Sequence, residues 1–326
     1  MVRLGPRVGS LVSVTPLALI GAGRIGRLHA RAIESSDRLR LAAVVEPREE
    51  AAAAVAGSGV RRAPDLAGLL RESDFEGAVI AAPTSLHLEL VRALAAAGVP
   101  VLCEKPCGLR SDDARAAAAA AAAAGVLLQV GYWRRFVQDL RRVREELLAG
   151  DLGAPSLILC AQWDELPPDA AFREPAISGG ILVDMGVHEF DTLRWLTGQE
   201  LTTVVGLPST LHYGEPVAGD LDTVGLVAGL SGGATGVITL ARRHPPGDLC
   251  KVEVLAAEGY RAVTYLDPPN SEPQLVDALR RQAEGFAAAL AGAEPTGASG
   301  HDAASALDAA EWAARAVAAP PSVALG

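Results

Sequence analysis

The tightest constraint on this chain is the run Gly21-Ala22-Gly23-Arg24-Ile25-Gly26. It follows an apolar stretch, residues 17–20, and opens a helical one, residues 25–35. A glycine at the first position permits a tight turn, and at the second lets backbone approach a pyrophosphate. At the third it allows close helix–strand packing. Arg24 and Ile25 open the helix, whose free N–H groups and positive dipole end suit an anion. Glu46 ends the next apolar stretch, 20 positions after Gly26. A carboxylate there accepts hydrogen bonds from ribose hydroxyls and repels a 2′-phosphate. Arg48 is a nearby guanidinium able to hold such a phosphate. Glu46, beside Pro47, also reads as an acid at a helix start. The pattern predicts a dinucleotide site that favours NAD over NADP.

The rest of the first half repeats the alternation. Apolar runs at 41–45, 78–82, 99–102 and 126–130 alternate with helical stretches at 48–56, 85–97 and 112–124. This predicts an α/β domain over 16–130, a doubly wound parallel sheet with helices on both faces. Residues 1–15 read as a flexible lead. After Gly131 the texture changes. A charged helix over 138–148 and a strand over 156–163 precede a helix over 180–196. Short alternating runs at 223–230, 234–240, 251–255 and 261–266 follow, with a hairpin at Ser231–Gly233. Two alanine-rich helices, 273–291 and 301–318, close the chain. A second, α+β domain over 131–326 with an open, mainly antiparallel sheet is expected.

The chain has 326 residues, enough for two domains. Its formal net charge of −10 argues against nucleic acid, which is bound by Lys and Arg neutralising phosphates. Nine consecutive alanines, 116–124, are too short and weakly apolar to span a membrane. Four scattered cysteines give neither a disulfide framework nor a C-x-x-C metal pair, so no metal and a cytoplasmic setting are expected.

Two groups of residues stand out as chemistry. Glu104-Lys105-Pro106 follows the 99–102 strand, at the carboxyl edge where open sheets bind ligands. Lys105 there can reach the far end of a dinucleotide, although a lone loop lysine is ordinarily solvated. Asp184 and His188 are spaced i, i+4, which on a helix puts them on one face. Polar groups in so apolar a run need a partner or a function. A structural pair on a wet face is the competing reading. Asp191 reads equally as function or as a partner for Arg194 or the helix behind it.

Together these motifs resemble the glucose–fructose oxidoreductase/inositol dehydrogenase/rhizopine catabolism family. The shared elements are Gly21 to Ala30 with His29, Pro83 to His87, Glu104 to Pro106 and Gly179 to Asp191, followed by Trp195–Gly198. The resemblance covers residues 17–318. Within the family, Gly131–Phe136 is similar to the G-F-M-R-R-F segment of inositol 2-dehydrogenases. Tyr132 and Trp133 replace Phe and Met, and Val137 stands where Asp is usual. The resemblance implies His188 as general base, Lys105 on the reacting oxygen, and Asp184 holding a neighbouring hydroxyl and orienting His188. It implies Tyr132, Trp133 and Arg134 around the substrate, and Pro83, His87, Glu104 and Lys105 near the cofactor. It also implies a cyclitol or sugar substrate and a homo-oligomer joined through sheet faces. Rival readings are an aminocyclitol or sugar-ring dehydrogenase, an NAD-dependent glycoside hydrolase and an NAD-binding sensor. Retention of Lys105, Asp184 and His188 together argues against the sensor.

Overall fold

The computed structural model describes residues 14–71, 74–212 and 220–318. The sequence-expected lead lies almost wholly outside these residues, and its last position, Thr15, already begins a strand. Six parallel strands form the first sheet: β1 (Thr15–Ile20), β2 (Leu39–Val45), β3 (Arg61–Ala63), β4 (Gly77–Ile80), β5 (Val101–Cys103) and β6 (Leu128–Val130). Their order is β3-β2-β1-β4-β5-β6, with the reversal between β1 and β4 that makes a ligand crevice. β1 and β4 are almost wholly buried, as expected for strands covered on both faces. The helices α1 (Arg24–Glu34), α2 (Glu49–Val55), α4 (His87–Ala96) and α5 (Ser111–Ala124) fall close to the sequence-derived stretches. β3 and the short α3 (Leu66–Leu70) were not legible. β3 is a three-residue edge strand with two arginines, so it carries no apolar run.

After α6 (Gln138–Ala149), the second sheet runs β12-β11-β7-β10-β9-β8. Its strands are β7 (Pro155–Trp163), β8 (Leu201–Ser209), β9 (Thr223–Leu230), β10 (Thr235–Ala241), β11 (Leu249–Ala256) and β12 (Gly259–Leu266). All neighbours are antiparallel except β7 and β10, which pair in parallel with Leu240 opposite Gln162. Even-numbered positions of β9 and β10 are buried, those of β10 facing α8 (Val187–Thr197), which α7 (Pro175–Ser178) precedes. A Cβ on Gly236 of β10 would sit 2.7 Å from Leu193 of α8. The opposite face carries exposed Val205, Leu207, Val227 and Leu255.

The last two helices return to the first half. α9 (Ser271–Leu290) inserts Phe286, fully buried, against β4, where a Cβ on Gly77 would lie 2.8 Å from its ring. α10 (Gly300–Ala318) packs on the buried alanines Ala114, Ala117 and Ala121 of α5. Gly300 approaches so closely that a Cβ would meet Ala118 at 2.6 Å. The small alanine and glycine side chains thus let these two helices pack closely.

Candidate active site

The glycine loop has the geometry its pattern predicts. Gly21 has φ +98°, and a Cβ there would lie 2.5 Å from the Ala81 carbonyl oxygen. A Cβ on Gly26 would lie 2.1 Å from the Gly21 oxygen. Gly23 is different, because a Cβ there would meet no protein atom within 4 Å. Packing does not explain that glycine, whereas close approach of a pyrophosphate does. No acidic residue occupies the first turn of α1, so its positive end is uncompensated by side chains. The chain therefore fits the dinucleotide. Gly21, Gly23 and Gly26 shape the cradle, and Arg24 and Ile25 begin the helix that points at it.

Glu46 is 7% exposed and braced. Its Oε2 accepts from the Ala22 N–H at 3.0 Å, and Oε1 accepts from Arg48 Nε at 2.7 Å. The Arg48 hydrogen bond holds its pKa down at about 2 against the opposing effect of burial, and the Ala22 N–H adds to the lowering. Arg48 is thereby turned toward Glu46 and away from the task of holding a 2′-phosphate. Glu46→Ala is expected to raise the ratio of kcat/KM for NADP over NAD about tenfold or more, by freeing Arg48 and removing the repelling charge. Initial rates with both cofactors test this, and an unchanged ratio would refute it.

Lys105 leaves the carboxyl end of β5 and spans to the second half of the chain. Its Nζ donates to the Asp184 carbonyl at 2.6 Å and to Asp184 Oδ1 at 3.2 Å. Behind it, Glu104 accepts the Lys105 N–H at Oε2 (3.1 Å) and faces His29 Nε2 at Oε1 (2.6 Å). His87 places its two ring nitrogens 2.8 Å from the carbonyl oxygens of Ala82 and Pro106. Pro83 starts the short 3₁₀ turn that sets His87 there. His87 and Glu104 thus fasten the Lys105 loop from inside, with their polar atoms turned to protein partners.

Asp184 is not on the regular helix the spacing predicts. It lies in a π-helical turn, Leu182–Gly186, that runs into α8. Widened turns of this kind recur at functional sites and change the angular spacing of side chains. The expected orienting contact from Asp184 to His188 is accordingly missing: Asp184 Oδ2 accepts from Arg242 Nη1 at 2.6 Å, while His188 Nδ1 is buried with no hydrogen-bond partner. Burial would raise the Asp184 pKa, but Lys105 and Arg242 outweigh it and hold the carboxylate below the usual range. Arg242 continues the chain of charges to Asp220 at 3.0 Å, and Asp220 Oδ1 accepts the Ile181 N–H at 2.7 Å. Neither Arg242 nor Asp220 was found from sequence, because each sits in a short run without periodicity or motif.

His188 stands between aromatic walls. Tyr132 and Trp133 meet it edge-on, with ring centroids at 5.9 and 6.0 Å. Burial first, then the charges of Arg134 and Lys105, push its pKa well below the ordinary value, so the ring is neutral and able to accept a proton. A base with a lowered pKa stays available as pH falls through 6.5. The pH profile of kcat/KM with an uncharged substrate should therefore show no slope-one loss centred near pH 6.5, and such a limb would refute the assignment.

Arg134 departs from the position expected of a residue that touches outlying substrate hydroxyls. It is 1% exposed, paired with fully buried Glu189 at 2.6 Å, and donates through Nη2 to Gln162 at 2.6 Å. Its guanidinium packs over Trp133 and Tyr265. It thus stands behind the aromatic walls, where it supports Trp133. Asp191, too, finds a partner other than Arg194: Arg135 donates to it at 2.6 and 2.9 Å.

Accessibility rises toward one mouth. The Lys105 and Asp184 side chains are 19% and 17% exposed, while Arg242 and Asp220 behind them are each 1% exposed. A cation and an ionised carboxylate are therefore the partly accessible groups beyond the carboxyl end of β5, and the buried neutral imidazole of His188 lies close enough to feel the Lys105 charge.

Comparison with known proteins bears on this arrangement. Residues 16–132 match the model of an oxidoreductase family with an NAD-binding Rossmann fold, and residues 140–261 match the GFO/IDH/MocA C-terminal domain. The chain belongs to this family. It is 42% identical to the rhizopine catabolism protein MocA of Rhizobium meliloti over 90% of this chain and 92% of that one. It is 31% identical to an inositol 2-dehydrogenase of Rhizobium meliloti strain 1021, over 92% and 96%. Among solved structures, a Sinorhizobium meliloti 1021 protein assigned as a myo-inositol dehydrogenase superposes with a TM-score of 0.87 at 30% identity, covering 94% and 98%. The family is one of NAD-binding oxidoreductases, as the glycine loop and Glu46 predict.

Proposed function

We propose that this protein oxidises a ring CH–OH group of a cyclitol, with NAD as hydride acceptor. The observation that supports this reading is the contact of Lys105 Nζ with Asp184 beyond the carboxyl end of β5, with the neutral imidazole of His188 near enough to feel the Lys105 charge. Bound NAD supplies the acceptor for the hydride. Gly21, Gly23, Arg24, Ile25 and Gly26 hold its pyrophosphate, and Glu46 takes the adenosine ribose. Lys105 has three N–H donors, of which two are used on Asp184. The third is free for the substrate oxygen and stabilises negative charge developing there. His188 takes the hydroxyl proton at its imidazole. Asp184, held ionised, keeps Lys105 in place and accepts from a neighbouring hydroxyl. Tyr132 and Trp133 keep water from the base.

Curated relatives named as inositol 2-dehydrogenases support the cyclitol class over sugars in general. NAD reduction should be seen with at least one of myo-inositol, scyllo-inositol or an inosamine. No NAD reduction with any cyclitol, combined with turnover of an aryl glycoside, would instead establish a hydrolase.

Two wider features belong to the same reading. Val205 of β8 pairs with Val227 of β9, and with Leu207 they form an apolar stripe on the sheet face away from α8, where Leu255 of β11 is also exposed. A stripe of this kind is a protein contact surface, and a homo-oligomer joined through it is part of the proposal. Light scattering at micromolar concentration should give a dimer or larger, and Val205→Lys with Val227→Lys should shift the mass to a monomer. All four cysteines are free and buried, which accords with a cytoplasmic setting. Among the described residues no helix is long and apolar enough to cross a membrane.

A further inference from the structure

A second concavity shares no lining residue with the candidate active site. It is a cleft of about 450 Å³ between α6, α9 and Arg38, the residue before β2. Four arginines line it, Arg38, Arg141, Arg142 and Arg281, against two glutamates, Glu145 and Glu284. An adjoining hollow of about 380 Å³ shares Arg38, Arg281 and Glu284 with it and adds Arg280. This local excess of cations stands in a chain whose formal net charge is −10.

The partners of these groups separate the occupied from the open. Arg142 pairs with Asp139 at 3.3 Å, and Arg281 with Asp277 at 2.9 Å. Glu284 is already satisfied, since it accepts from Arg280 and from Ser36 Oγ, each at 2.8 Å. Among the described residues, the Arg38 and Arg141 side chains form no ion pair and no hydrogen bond. Glu145 lies one helical turn after Arg141 on α6, yet the two do not pair. Arg141 instead stacks on the buried ring of Phe136, with its guanidinium carbon 5.7 Å from the ring centroid. Stacking fixes the plane of a guanidinium and leaves its N–H edge open, so less freedom is lost when a ligand binds. The positive field is felt at Arg144, whose pKa is lowered first by burial and then by Arg135 and Arg141, with Glu145 opposing.

We propose that this cleft binds a phosphate dianion, free or as the ester group of a small molecule. The planar fork of Arg38 and that of Arg141 each match two oxygens of a phosphate. Arg142 and Arg281 add positive potential, because their pairs with Asp139 and Asp277 are largely exposed and individually weak. Cations outnumber anions on the lining, so a dianion gains more there than a monocarboxylate does. The cleft has the size of a small-molecule site, which leaves room for an ester beside the phosphate. The glycine loop contributes nothing to it, and the inference does not depend on the cyclitol reading.

The test titrates inorganic phosphate and glycerol 3-phosphate calorimetrically into the protein saturated with NAD, so that the glycine cradle is filled. Sodium chloride at about 0.1 M screens long-range attraction. At least one of the two should bind once per chain with a Kd at or below about 1 mM. Arg38→Gln and Arg141→Gln should each weaken that binding at least about tenfold. Arg38 is exposed and makes no ion pair, so its variant should melt at the wild-type temperature when no ligand is present. Tighter binding of the ester assigns the cleft to a phosphorylated small molecule, and tighter binding of inorganic phosphate assigns it to the free anion. Absence of saturable binding of both below about 10 mM would overturn the proposal. An affinity that either substitution leaves unchanged would also overturn it. So would phosphate that binds only by releasing NAD, since it would then occupy the glycine cradle.

Discussion

Lys105→Met is expected to lower kcat for cyclitol oxidation about 10³-fold, while NAD affinity stays within roughly threefold. The size follows from the geometry. Lys105 Nζ spends two donors on Asp184 and has one left for the reacting oxygen. Removing the cation removes stabilisation of an oxygen whose charge grows only as the reaction proceeds, so the loss falls on turnover. The variant is also a clean one. Asp184 keeps its 2.6 Å bond to Arg242, so no carboxylate is left unpaired, and the glycine loop is untouched. Single-turnover reduction of NAD and a fluorescence titration of NAD binding separate the two effects. Turnover within tenfold of wild type would remove Lys105 from the reaction.

The second large effect concerns stability. Arg134 and Glu189 form an ion pair at 2.6 Å with side chains 1% and 0% exposed. Such a pair contributes little over an apolar replacement, yet breaking it strands a charge in the interior. Glu189→Leu and Arg134→Met should each destabilise the protein by about 3–5 kcal/mol. The double variant should recover at least half of the summed loss, because it removes both charges together. Recovery will be incomplete, since Arg134 also bonds Gln162 and packs over Trp133 and Tyr265. Urea midpoints of the four proteins read this directly. Additive losses in the double variant would mean that the two residues act separately.

The two halves of the site were legible to different degrees. The cradle is local: Gly21, Gly23 and Gly26 lie within six residues, and each is demanded by a backbone approach or a helix end that the same segment makes. Glu46 is read from its place at the end of β2. Lys105 is similarly marked by following β5, and His188 by its polarity inside an apolar run. The helix spacing, in contrast, misled. It put Asp184 and His188 on one face of a regular helix, and the π-helical turn instead directs Asp184 to Lys105 and Arg242. Arg134 was expected at the substrate, but Glu189, one residue beyond His188, draws it inside.

The sequence by itself determined the parallel α/β half, the dinucleotide cradle and the preference for NAD, while the candidate base and lysine came from the family resemblance. The first three depend on neighbours a few residues away, and local backbone chemistry leaves a local pattern. Only the tertiary structure decided which charges meet. Lys105 and Asp184 are 79 positions apart, Asp184 and Arg242 58, and Arg134 and Glu189 55. A buried charge can be neutralised by any oppositely charged residue the fold brings within about 4 Å, and that choice has no period and no motif.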